Sequence, residues 1–395
     1  MTSTGSDAAA GLFRRGGRAL VWLAAVLACV VGLVIGWVVA FEPPFPMLIL
    51  SFLAKPVLST IPWVTVALLL ASVIAMLLAR RFGQPRSRLR YVARFGVLLA
   101  VAVLLIGWLR FQAGYSTRRL VIDSADAQLV GTLFAPRHLP ATGILLVHGS
   151  GPFDRHLYDW AALLLVRAGY VVLNVDKRGV GESGGAWQEQ WSQVPGYFRQ
   201  MVDDHVAAIE ALAQQAEVRG QPVGMWGVSQ AGWIIPEVAA LTPTVRFTVT
   251  ISGPAVPFSD EALFSRLAGD ADHFGWQPPL QPLAEVDAIV DTATASGPDP
   301  AEALSRMAVP GLWLYGAWDN SIPVTKSVRV LRAQIAAGKP FTVRVFPEAN
   351  HGLMVARGPH RHLPPQYADG VWDTMLAWMR EHAAASGELQ QGAVH

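Results

Sequence analysis

Three apolar runs crowd the first 111 residues, and they constrain the fold of this chain more than any other feature. They cover about residues 19–41 (ALVWLAAVLACVVGLVIGWVVAF), 57–79 (VLSTIPWVTVALLLASVIAMLLA) and 92–111 (VARFGVLLAVAVLLIGWLRF). Each approaches the roughly 20 residues with which a helix crosses the hydrocarbon core of a bilayer. No polar face interrupts the first or the third, which argues against core helices of a soluble domain. The sequence predicts three transmembrane helices, with a two-span arrangement as the alternative. The composition, 52% hydrophobic and 15% charged, owes its apolar excess to these runs.

Charge divides the chain at the same place. Residues 1–111 hold 11 Lys and Arg against 2 Asp and Glu, whereas residues 112–395 hold 20 against 27. The basic residues stand at the ends of apolar runs, so nothing here resembles a nucleic-acid patch. Arg14, Arg15 and Arg18 lie in the arm 1–18, and Arg80, Arg81, Arg86, Arg88, Arg90 and Arg94 lie between the second and third runs. The first loop offers only Glu42 and Lys55. Positive-inside counting therefore puts the arm and the second loop in the cytoplasm. Everything after residue 111 is then extracytoplasmic; Arg110, Arg118 and Arg119 oppose this but are outnumbered. A cleaved signal peptide fits poorly, because the first run is too long and Phe41-Glu42-Pro43-Pro44 lacks small residues. The apolar segment 46–54 either lies in the membrane interface or extends the second span. Cys29, the single cysteine, falls in the first run. That excludes a thiol nucleophile, a disulfide and a Cys-based zinc site outside the membrane.

From about residue 118 the pattern becomes short β-type runs alternating with helical ones. Residues 118–123 and 127–136 read as a hairpin-like pair. Strands are expected at 142–149, 170–176, 222–228, 246–253, 311–317 and 341–347, several of them continuous apolar runs of the kind buried on both faces. Helical patterns lie between, and Pro236 is expected to kink one of them. This alternation predicts a mostly parallel sheet flanked by helices. Residues 257–306 contain no strand, and about fifty residues are too many for a connection alone, so they are read as a helical cap. The domain is bounded at 112–385, followed by a tail, 386–395, expected to be disordered.

In an open α/β sheet functional groups collect where strands end at their carboxyl side. After 142–149 comes HGSGPFDRH, with His148, Ser150, Asp154 and Arg155. After 170–176 comes DKRGVGESGG, with Asp176, Arg178, Gly181 and Ser183. Then follow Ser229 in GVSQAG, Asp319 in YGAWDNSIP and His351 in FPEANHG. Ser, Asp, His is the chain order that accompanies a strand-to-helix nucleophile elbow. An elbow holds its serine in a strained backbone and presses together the residues two before and two after it. Here those are Gly227 and Ala231, and the methyl of Ala231 departs mildly from the usual glycine.

These five motifs, in order, resemble the α/β-hydrolases, and within them the serine aminopeptidase and dienelactone-hydrolase-like bacterial esterases. The resemblance covers roughly residues 118–385 and leaves out the membrane part. It implies an eight-stranded α/β-hydrolase sheet with a cap, and a serine hydrolase needing no cofactor or metal. Ser229 would be the nucleophile, His351 the general base and then acid, and Asp319 the residue that orients and stabilises the imidazole. The oxyanion hole would be the backbone N–H groups of Gln230 and Ser150. His148 is expected to shape that loop, and Asp176 and Arg178 to pin a loop beneath the site. Asp154 and Arg155 either do the same or touch substrate. His360 and His362 read as a solvated loop. Phe264, Phe274, Trp276, Leu280 and Leu283 suggest an apolar cap wall, and Glu261 and Glu285 either bind a substrate amine or face water. The expected partners are a small or lipid-like acyl substrate and the bilayer. Acyl transfer on the same fold and a non-catalytic membrane sensor or scaffold are the alternatives.

Overall fold

The computed structural model describes residues 114–269, 279–356 and 367–392. The expected arm, the three membrane helices, the segment 46–54, Cys29, Phe274, Trp276, His360 and His362 lie outside the described residues. Among the described residues, no helix is long and apolar enough to cross a membrane.

Eight strands form one sheet: β1 (Tyr115–Asp123), β2 (Gln128–Pro136), β3 (Gly143–Val147), β4 (Val171–Val175), β5 (Val223–Val228), β6 (Val245–Ile251), β7 (Gly311–Gly316) and β8 (Phe341–Phe346). Their spatial order is β1-β2-β4-β3-β5-β6-β7-β8. β1 and β2 pair antiparallel, and so do β2 and β4; every later pairing is parallel. This is the α/β-hydrolase arrangement that the motif order implied.

The continuous apolar strands are explained by two cores, one on each face. Leu145 and Val147 of β3 face one core while Ile144 and Leu146 face the other. Trp313 and Tyr315 of β7 alternate with Leu312 and Leu314 in the same way. The first face is covered by α2 (Tyr197–Ala213), α3 (Ala231–Leu241) and α7 (Val324–Ala336), through Ile209, Ile234 and Leu331. The second is covered by α1 (Asp159–Arg167) and α8 (Val371–Gly392), through Leu165 and Met375. Pro236 forgoes one hydrogen bond within α3, yet the helix continues through it to Leu241. α8 runs past the expected boundary at 385 to Gly392, because Glu388, Leu389, Gln390 and Gln391 are good helix formers that carry it through Gly387.

Between β6 and β7 stand α4 (Phe258–Ala268), α5 (Leu283–Asp291) and α6 (Ala301–Arg306). Phe264, Ala268, Val286 and Val290 make a small core of their own. Phe264 is therefore interior to this helical insertion, and Leu280 is largely exposed. Lys326 of α7 pairs with the buried Asp260 at 2.8 Å, and Arg329 with Asp291 at 2.6 Å, tying the insertion to the domain.

Candidate active site

Ser229 lies between β5 and α3 with φ of +52°, a left-handed conformation that a non-glycine residue seldom adopts. Its N–H donates to the carbonyl of Ile251 (2.9 Å), and its carbonyl accepts from Gly232 (2.8 Å). The turn is so tight that a Cβ on Gly227 would stand 2.4 Å from the Ala231 methyl and 2.7 Å from the Val147 carbonyl. The missing side chain at 227 is what makes room for the methyl at 231. Ser229 is partly exposed, and its Oγ has no hydrogen-bond partner among the described residues.

Asp319 and His351 follow β7 and β8 on the same carboxyl edge of the sheet. His351 Nδ1–H donates to both carboxylate oxygens of Asp319, at 2.9 and 3.1 Å. Asp319 is fully buried, and its Oδ1 also accepts from the N–H groups of Ser321 (2.8 Å) and Ile322 (3.1 Å). Four donor contacts thus hold the charged carboxylate and fix the imidazole tautomer. Asn350 shapes the turn around the histidine, accepting from the N–H groups of Gly352 and Met354 at 3.0 Å each.

The loop after β3 is built from stacked aromatic rings. Tyr158 lies on His148 with centroids 4.1 Å apart, and its hydroxyl accepts from the Gly149 N–H (2.7 Å). The next N–H, on the exposed Ser150, has no acceptor among the described residues, nor has that of Gln230 at the start of α3. The amide nitrogen of Asn174 is committed to the carbonyl of Arg155 (2.7 Å) and to Asp159 (3.1 Å). Its oxygen must therefore accept from His148 Nε2–H at 2.7 Å. Burial, helped by the nearby Lys177 charge, pushes the pKa of His148 down to about 3 and keeps the ring neutral. A side chain so reluctant to take a proton shapes the loop and is no base at neutral pH.

Of the two open assignments after β3, that of Arg155 resolves. Arg155 is buried and pairs with Asp176 and Glu182, so it faces the interior. Asp154 caps the short helical turn that follows, accepting from the His156 N–H (3.1 Å). Arg178 is clasped by Asp204 through two hydrogen bonds (2.7 and 2.8 Å) and reaches Asp126 (3.0 Å). Gly181 has φ of +58°, and any Cβ there would strike the Asp176 carboxylate.

One residue passed over in the sequence stands at the centre of this region. Lys177, between Asp176 and Arg178, is buried, and its ammonium donates to the carbonyls of Gly149 and Gly151 (3.2 Å) and to Gln230 Oε1 (2.9 Å). Burial brings its pKa down to about 7. Nothing in the string DKRG distinguishes a buried lysine from a solvated one, so only the contacts reveal it.

The chain is 24% identical over 220 residues to acylamino-acid-releasing enzyme 1 of Oryza sativa subsp. japonica, covering 53% of this chain and 27% of that protein. It is 23% identical over 222 residues to dipeptidyl-peptidase 5 of Porphyromonas gingivalis, covering 56% and 30%. It thus spans less than a third of the length of either relative. Among solved structures, an esterase of Pyrococcus furiosus superposes with a TM-score of 0.47 at 17% identity, over 68% of this chain and 89% of that one. The family model for the prolyl oligopeptidases matches residues 156–384, which include Ser229, Asp319 and His351, and the chain belongs to that family.

Proposed function

We propose that this protein is a membrane-anchored serine hydrolase that cleaves an ester, thioester or amide through an acyl-enzyme. The observation that carries the proposal is a strained Ser229 on the same sheet edge as a buried Asp319–His351 pair. Ser229 Oγ attacks the acyl carbonyl carbon while His351 Nε2 takes the hydroxyl proton. The carbonyl oxygen becomes an oxyanion facing the N–H groups of Ser150 and Gln230. Collapse expels the leaving group, which receives the proton from His351. Water then repeats the sequence and frees the serine. Asp319 keeps Nδ1 protonated and stabilises the imidazolium. The serine-to-histidine hydrogen bond forms as substrate binds, since such contacts are commonly long without it. The names of the relatives include peptidases, a thiohydrolase and carboxymethylenebutenolidases, which is why ester, thioester and amide all stay within the proposal.

Labelling of membranes with a fluorophosphonate tests the nucleophile. The expected outcome is a labelled wild-type protein and an unlabelled Ser229→Ala; equal labelling of the two overturns the assignment. The apolar runs of residues 19–111 support anchoring, with the hydrolase domain outside the cytoplasm. Reporter fusions at the two loops and the C-terminus test the orientation, which a cytoplasmic C-terminus would overturn.

A further inference from the structure

A buried lysine ordinarily has a carboxylate beside it, because an isolated charge is expensive to remove from water. Lys177 has none bound. The carboxylate of its neighbour Asp176 is committed to Arg155 and to the N–H of Glu182 (2.8 Å). The three donors of the ammonium go instead to neutral oxygens: the carbonyls of Gly149 and Gly151 and the side chain of Gln230. The Trp187 ring stands 5.0 Å from the nitrogen and adds a cation–π contact.

Those acceptors are not a random set. The Gly149 carbonyl belongs to the same planar peptide as the Ser150 N–H, and in a trans peptide the two point in opposite directions. Turning that carbonyl onto the ammonium aims the Ser150 N–H the other way. Glycine flanks the serine on each side, and Gly151 has φ of +95°, so the loop has few side chains of its own to fix the orientation of that peptide. The third contact holds the side chain of Gln230, whose own N–H is the second donor. One ammonium therefore touches both halves of the anion-binding arrangement.

We propose that Lys177 is a positioning residue that locks the Ser150 and Gln230 N–H groups into a single oxyanion hole. The proposal rests on the reading of Ser229 as nucleophile and of those two groups as its oxyanion donors. Its charge lies behind the loop and never touches substrate. Its effect is confined to the step in which the oxyanion forms, so kcat depends on it and KM does not.

The test uses the full chain in detergent, with p-nitrophenyl butyrate as substrate and a trifluoromethyl ketone as mimic of the tetrahedral adduct. Turnover is normalised to serine labelled by fluorophosphonate, which separates activity from folded yield. Lys177→Met is expected to lower kcat per labelled serine roughly ten- to a hundredfold, less than the full loss of a donor. KM should stay within about threefold, as expected for an interaction made only in the transition state. Ketone affinity should fall in step with kcat, and Lys177→Arg should recover part of both. If Lys177→Met does not fold, Lys177→Gln, which keeps a donor without the charge, carries the same comparison. A kcat within twofold of wild type overturns the proposal, as does a reduced kcat with unchanged ketone affinity. Failure of the serine reading is distinct: Ser229→Ala would then label like wild type.

Discussion

Lys177 and Arg178 are consecutive, both are buried after β4 and both border one cavity, but their charged ends bind different groups. Arg178 faces a hub of carboxylates. Asp204 of α2 clasps it, Asp126 reaches it from the β1–β2 turn, and Ser124 of that turn also bonds Asp204 at 2.5 Å. Lys177 faces carbonyl dipoles around the serine. The hub joins a hairpin to a helix. The cradle around Lys177 joins the two loops that carry the proposed oxyanion donors. The difference teaches that one three-residue turn divides its labour, with stability on the arginine side and chemistry on the lysine side.

The strongest way to break that division is at the catalytic edge itself. Asp319→Asn preserves shape and the acceptor for Ser321 but removes the charge that fixes the imidazole tautomer. A loss of about 10⁴ in kcat is expected, by analogy with the equivalent change in a serine protease triad. The melting temperature should hardly move. Steady-state kinetics and calorimetry on the same preparation check this, and a large fall in melting temperature with kcat retained would assign Asp319 to stability instead.

The converse belongs to the hub. Asp204→Asn leaves the Arg178 guanidinium buried with a weakened partner, and breaking a buried pair typically costs about 3–5 kcal/mol. Denaturant unfolding should show the loss, while turnover per labelled serine stays at the wild-type value. A drop in that normalised turnover would mean that hub and cradle are coupled through the turn between them.

How far the sequence reveals each region follows from the same contrast. Ser229, Asp319 and His351 are legible because parallel strands bring their carboxyl ends to one edge, so chain order and spacing already imply proximity. Arg178 is legible as a loop pin, because it follows a buried strand and opens a glycine-rich turn through Gly179 and Gly181. Lys177 is not legible, since its partners are backbone carbonyls and leave no mark in the sequence. Arg155 could be read either way until its contact with Asp176 decided it. Phe264 reads as a pocket wall from composition; the ring packs in the insertion's own core and also borders a cavity with Leu283 and Asp319. The alternation of strands and helices is legible in the apolar runs, whereas the order of the strands across the sheet is not, and the end of α8 depends on a few helix formers beyond a glycine.

His148 sharpens the comparison through pH. Its imidazole is buried neutral, with a pKa near 3 set first by burial and then by the Lys177 charge. In the unfolded chain it titrates near 6.5, so between those values the unfolded state binds more protons and stability falls as pH falls. From pH 7.5 to pH 4 the contribution is about 3 kcal/mol by linkage. His148→Gln retains a donor for Asn174 without a titrating ring, and its stability should fall less steeply over that range. Equal acid sensitivity of the two proteins would show that His148 is not the group responsible. Lys177 shifts the same way in a higher window, its burial being most costly below about pH 7 and less so as pH rises towards its unfolded value.

The smallest expected effect concerns Ala231, the residue that departs from the usual elbow. Its methyl is fully buried at the first position of α3, in the space left by the absent side chain of Gly227. Ala231→Gly removes one buried methyl and adds backbone freedom, which together destabilise by about 1–2 kcal/mol. The serine should not notice, because its φ of +52° is held by the bonds to Ile251 and Gly232 and not by the methyl. Turnover per labelled serine is expected within about threefold of wild type, while the melting temperature falls by a few degrees. Gly227→Ala is the counterpart: its new Cβ meets both the Ala231 methyl and the Val147 carbonyl, and only the methyl can be removed by a second substitution. If Ala231→Gly instead lost activity tenfold or more, the methyl would be part of what strains the serine, and the elbow would depend on alanine at 231.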